Sequence, residues 1–131
     1  MFLRVDLSSA EPLFEQIAFA VKDAVARGDL GQGAKLPSVR ELAQELSINP
    51  NTVVRAYEVL ERDGVVTRRQ GAGCFVTGRG STLNGKERRR QLVDLALRTA
   101  TEGYHLGFSA AEIRDAVDGA LSRLQSERKE T

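Results

Sequence analysis

Apolar positions recur along this chain with two different periods, and the change of period divides it. Leu13, Ile17, Val21, Ala24 and Val25 fall on one face of a helix. Pro12 suits its first turn, where the missing N–H would have no partner, and Gly28 is free to take the left-handed conformation that closes a helix. The spacing predicts a first helix over 12–27. Ahead of it, Leu3-Arg4-Val5-Asp6-Leu7 alternates as a short half-buried strand would. Residues 31–37 read as a turn and a short extended piece. Ser38-Val39-Arg40-Glu41 is a capping box, and Val39, Leu42, Ala43 and Leu46 give the short helix behind it one apolar face, ending near Ser47. Asn49 caps a third helix with Pro50 in its first position, Val53, Ala56, Tyr57 and Leu60 on its inner face, and Gly64 at its end. Only Ser47-Ile48-Asn49 separates the second helix from the third, with Ile48 as an apolar plug. Two short helices so joined make a helix-turn-helix.

Past Gly64 the period becomes two. Residues 65–69 and 73–77 read as strands joined by Gln70-Gly71-Ala72, a β-hairpin placed as the wing of a winged helix-turn-helix. Residues 78–82 are composed as a linker. A fourth helix is predicted over 86–101, with Leu92, Val93, Ala96, Leu97 and Ala100 available for burial. Ser109-Ala110-Ala111-Glu112 is a second capping box, ahead of a fifth helix that carries Ile113, Ala116, Val117, Ala120, Leu121 and Leu124 at helical spacing. From Ser126 the tail is polar and expected to fray. The expected organisation is a DNA-binding domain over 1–78, a linker over 79–85, a two-helix dimerisation segment over 86–126 and a polar tail over 127–131. The fold class is mainly α with a small β wing. Two amphipathic helices after a small domain cannot bury both faces alone. A homodimer through Leu92, Leu95, Ala96, Ile113, Ala116, Val117, Ala120, Leu121 and Leu124 is the favoured solution, and folding back on the winged domain the alternative.

Charge changes the picture only when it is divided along the chain. The net charge is +1, yet residues 62–90 hold 8 Lys/Arg against 2 Asp/Glu, while 1–61 hold 6 against 9 and 91–131 hold 5 against 7. A basic stretch flanked by acidic segments is a polyanion footprint, although a solvated basic loop accounts for the charge equally well. The single cysteine, Cys74, excludes an intramolecular disulfide and fits a reducing cytoplasm. No apolar run is long enough to span a bilayer, and the first residues lack the layout of a signal peptide, so no membrane partner is expected.

With the third helix in a major groove, the residues opposite its packing face meet the bases of double-stranded DNA: Asn49, Pro50, Asn51, Thr52, Arg55 and Glu58. Asparagine pairs with the N6 and N7 edge of adenine, and arginine with the O6 and N7 edge of guanine. Ser38 and Arg40 stand at the start of the second helix, where Arg40 can reach a phosphate or a base edge and the backbone N–H groups of that turn can hold a phosphate. Arg68, Arg69, Gln70 and Gly71 at the wing tip suit phosphate or minor-groove contact. Each residue also has a plain reading. Asn49 is fully explained as a cap, Thr52 as a supplement to it, Arg55 as a solvated arginine, and Glu58 as a solvated charge. Together they are stronger than any one alone. An apolar outer face would instead suit a protein-interaction module, the competing reading; here only Val54 is apolar. Catalysis has no support: His105 is the one histidine, no acid-base or nucleophile constellation surrounds it, and it lies far from Cys74 in sequence, so no metal site or cofactor is expected. Tyr104, His105 and Phe108 fall between the last two helices. An ordinary loop is favoured there over a pocket for a small-molecule effector.

Leu36-Pro37-Ser38-Val39-Arg40-Glu41-Leu42-Ala43, then Asn49-Pro50-Asn51-Thr52-Val53 and Arg55-Ala56-Tyr57, resembles the GntR superfamily of bacterial regulators. Gly71-Ala72-Gly73-Cys74-Phe75-Val76 resembles that family's wing, so the likeness covers about 12–76. The Asn-Pro-Asn-Thr-Val form with a short C-terminal part resembles the YtrA subfamily. That resemblance implies a dimeric repressor of an inverted-repeat operator, often of a transporter operon, with two C-terminal helices that dimerise. Cys74 stands where the family more often has threonine. A small strand residue is the favoured reading there, since a redox-sensing thiol needs a low pKa and exposure.

Overall fold

The computed structural model describes residues 5–78 and 83–129. The order is α1 (Leu13–Arg27), α2 (Val39–Leu46), α3 (Pro50–Arg62), β1 (Val66–Arg69), β2 (Gly73–Val76), α4 (Gly85–His105) and α5 (Ala110–Lys129). Two compact units result, Met1–Thr82 and Leu83–Thr131. The fold is mainly α with a small β wing, as the hydrophobic pattern predicts.

In the first unit, α1 and α2 both pack on α3. Ile17, Val21, Leu36, Leu42, Val53, Leu60, Val66 and Val76 are the largest fully buried side chains of one core, drawn from every element of the unit. The local signals that set the helix ends operate as expected. Ser38 Oγ accepts from the Glu41 N–H at 3.0 Å while the Glu41 carboxylate accepts from the Ser38 N–H at 3.0 Å. The Asn49 side chain accepts from the Asn51 N–H at 2.8 Å, and Pro50 opens α3. Between α2 and α3, Ser47 holds a left-handed backbone, φ 56°, and the Ile48 N–H reaches back to the Ala43 carbonyl at 3.0 Å. A residue with a Cβ is strained there.

The wing has a third member. β1 and β2 pair antiparallel with Val66 opposite Val76 and Arg69 opposite Gly73. On its other edge β2 bridges to Lys35, with the Leu36 N–H donating to the Cys74 carbonyl at 2.9 Å and the Val76 N–H to the Ala34 carbonyl at 2.8 Å. The extended piece after α1 is therefore an edge of the wing.

Three expectations need correction. No strand forms over the described part of 3–7; Leu3 and Arg4 lie outside the described residues. The Asp6 carboxylate accepts from the Ser8 N–H at 3.0 Å and hydroxyl at 2.6 Å, and its own N–H donates to Gln16 Oε1 at 2.8 Å. This local turn consumes the groups a strand would need. Residues 79–82 of the expected linker lie outside the described residues, and its end is helical: Asn84 caps α4 by accepting from the Glu87 N–H at 2.9 Å, so Gly85 is the first helical residue. At the other end α4 continues to His105, and α5 runs through Ser126 to Lys129, so Glu127 to Lys129 extend the helix instead of a frayed tail.

In the second unit α4 and α5 meet where Ile113 lies over Gly103. A Cβ at Gly103 would come within 2.7 Å of Ile113 Cδ1, which explains a glycine inside a helix despite its entropic cost. Beyond that contact the helices bury little. Leu92, Leu95, Leu97 and Leu121 are exposed by 62%, 63%, 66% and 51%, and α4 has no buried residue. Among the described residues no helix is long and apolar enough to cross a membrane.

Leu60→Ala is expected to destabilise the chain by about 2–5 kcal/mol in chemical denaturation, because it empties the middle of the core. Ser47→Gly is expected to raise stability in the same measurement by relieving the left-handed backbone.

Candidate nucleic-acid interface

Burying Val53, Ala56, Tyr57 and Leu60 decides what α3 shows to solvent. Asn51, Arg55 and Glu58 form its exposed stripe, and Thr52 and Val54 flank it half-buried. Asn49 and Pro50 stand exposed at its N-terminus. The side-chain carbonyl of Asn49 is committed to the cap, so its amide N–H groups are what it can offer a base. Ser38 and Arg40 lie exposed at the start of α2. Within that turn the Glu41 N–H is already taken by Ser38, leaving the N–H groups of Val39 and Arg40 for an anion. Hydrogen bonds to the Glu41 carboxyl, first from the Ser38 backbone N–H and then from its hydroxyl, hold it below its ordinary pKa.

Tyr57 ties the two helices of the motif to the wing's edge. Its hydroxyl donates to the Pro37 carbonyl at 2.7 Å, and burial pushes the phenol well above its ordinary pKa. Around it an open cleft of about 540 Å³ is walled by Pro37, Ser38 and Val39, by Val54 and Tyr57 of α3, and by the wing from Arg68 to Cys74. The start of α2, the middle of α3 and the wing tip thus border one concavity.

Arg68, Arg69, Gln70 and Gly71, expected at the wing tip, all lie there, exposed. The two arginines differ in their surroundings. Arg68 has Nε 3.8 Å from the Glu61 carboxylate of α3. Arg69 faces Gly73 across the ladder, and its guanidinium lies 4.6 Å from the centroid of the Phe75 ring, diagonal to it. Lys35 was missed. Its pairing with Phe75 carries it into the cleft, and its Cε would lie 3.1 Å from a Cβ at Gly73. That bridge spans 40 positions, and no local signal announces it. The ring contact of Arg55 was also missed: its guanidinium carbon lies 3.9 Å from the centroid of Phe14 on α1. Arg55 is exposed but not merely solvated.

In the second unit, Val117 and Leu121 line an open groove of about 830 Å³ along α4 and α5, together with Ile113, Ala116, Ala120 and Leu124. Ile113 and Leu124 are half-buried; Leu92, Leu95 and Ala96 are exposed on α4. Of the three residues weighed for an effector, Phe108 lines the groove, while Tyr104 and His105 sit exposed in the last turn of α4, which is helix where a loop was favoured. Cys74 is half-buried in β2.

The profile of the bacterial regulatory proteins of the gntR family matches residues 13–76. Over 115 residues the chain is 38% identical to the HTH-type transcriptional repressor YtrA of Bacillus subtilis (strain 168), covering 88% of each protein. To the uncharacterized HTH-type transcriptional regulator YhcF of the same organism it is 33% identical, covering 83% of this chain and 89% of that one. Among solved structures it is similar to one described as a transcriptional antiterminator from Listeria monocytogenes EGD-e, with TM-score 0.79, 30% identity, and coverage of 92% of this chain and 90% of that one. A second is YtrA from Sulfolobus acidocaldarius, a GntR-family transcription factor, with TM-score 0.57, 33% identity, and coverage of 75% and 99%. Those relatives are regulators, not enzymes. The chain belongs to the GntR family of bacterial regulatory proteins, in its YtrA-like branch, and is a DNA-binding transcription regulator.

Proposed function

We propose that this chain is a homodimeric repressor that binds an inverted-repeat operator through two copies of α3 and releases it on a signal. The observation that carries the reading is the exposed stripe of α3, where Asn51 and Arg55 offer the donors and acceptors that base edges require, beside a cleft rimmed by wing arginines. Ser38, Arg40, Arg68, Arg69, Gln70 and Gly71 would meet the phosphate backbone around it, with Lys35 added to their number. Residues 1–78 would act as the DNA-binding domain and the α4–α5 unit as the dimerisation segment, since its apolar side chains are largely uncovered within one chain. A two-fold dimer places two recognition helices on half-sites about one helical turn of DNA or a multiple apart. The resemblance to the YtrA repressor makes a transporter operon the first place to look for the operator.

Titration of the chain's own promoter region at several salt concentrations tests the reading. Specific binding that weakens steeply with salt is expected, because displaced counterions drive the phosphate contacts. Equal affinity for random duplex would defeat it. Arg55→Ala should cost about 1–3 kcal/mol at one base position and relax specificity there. Arg69→Ala should instead weaken all sequences alike and reduce the salt dependence.

For the dimer, the informative positions are Val117 and Leu121, exposed on α5 and free of the Gly103–Ile113 contact. Val117→Glu and Leu121→Glu together should convert a dimer to a monomer in sedimentation equilibrium and lower operator affinity. A persistent dimer would move the interface elsewhere.

A further inference from the structure

We propose that Phe14 is a positioning residue for DNA recognition: its ring holds the Arg55 guanidinium ready for a base edge. The inference rests on the reading that Arg55 of α3 meets a base. Phe14 lies outside the helix-turn-helix, in the first turn of α1, and is half-buried against the core. Its ring faces an arginine from a different element, with the guanidinium carbon 3.9 Å from the ring centroid.

A free arginine samples many rotamers and loses that freedom when it engages a ligand, so holding it beforehand lowers the cost of binding. The means of holding it matters. Arg68 instead lies 3.8 Å from the carboxylate of Glu61, a negative charge that DNA phosphates must approach. A ring attracts the cation through its π face and leaves all five N–H donors to reach a guanine edge. Among the described residues Arg55 makes no ion pair, and its guanidinium rests on the Phe14 ring. The wing repeats the device, with Arg69 over Phe75. In both places an arginine that would meet DNA is steadied by a group that carries no opposing charge.

The test uses the full chain and the duplex that it selects from a random-sequence library, with a random duplex for comparison. Phe14→Leu keeps apolar bulk and removes the ring. It is expected to lower affinity for the selected duplex about two- to five-fold and to flatten discrimination at the base pair that Arg55→Ala relaxes, with random-duplex affinity unchanged. Phe14→Tyr keeps a ring and should restore both. In an Arg55→Ala background, Phe14→Leu should add nothing, because the ring acts through that arginine. Thermal unfolding identifies any variant that fails to fold, in which case Phe14→Met gives the same comparison. Equal loss on selected and random duplexes, or a loss that persists without Arg55, makes the ring ordinary packing and overturns the inference. Tighter binding by Phe14→Leu also overturns it, since the ring would then restrain Arg55 from DNA. A neutral Arg55→Ala removes the base-reading role and the inference together. A damaging Arg55→Ala with a neutral Phe14→Leu removes the inference alone.

Discussion

Four side chains of α3, Val53, Ala56, Tyr57 and Leu60, leave water together, and most of what the first unit presents follows from that burial. With this stripe turned inward against α1 and α2, a helix of 3.6 residues per turn must show Asn51, Arg55 and Glu58 outward. Tyr57 adds direction to the packing, since its hydroxyl donates to the Pro37 carbonyl. That bond fixes α3 against the segment that both leads into α2 and edges the wing. One apolar stripe with one polar tip thereby sets the mutual placement of all three parts of the interface.

Helix ends were legible because their causes are local. A serine and a glutamate three apart, an asparagine ahead of a proline, and a glycine after a periodic run each act within a few residues, and each capped or closed the helix it announced. Over its described residues, 5–7, the strand expected near the N-terminus is absent for a reason of the same range: Asp6 forms its own turn with Ser8. The extents of α4 and α5 were underestimated because amphipathicity fades before a helix does, and Asn84 was not recognised as a cap.

What lay beyond sequence reading is long-range. Lys35 enters the cleft through a bridge to Phe75, and Arg55 finds Phe14 across the packing of α1 on α3. Neither pair has a spacing to recognise, and both alter the chemistry of the candidate site more than they alter the fold. The exposed stripe itself was readable, because it is the complement of a periodic core. The surroundings of each side chain on it were not.

The bridge between Lys35 and β2 also bears on the order in which the protein can be made. The Leu36 N–H and the Ala34 carbonyl find their backbone partners in Cys74 and Val76, at the far end of the first unit. A nascent chain that has exposed all three helices but not yet the wing still lacks those partners, and Val66 and Val76 are missing from its core. Completion of the candidate interface therefore waits on the last strand to emerge. A truncated product ending inside the hairpin would carry the whole helix-turn-helix motif in sequence without the β2 partners of Ala34 and Leu36.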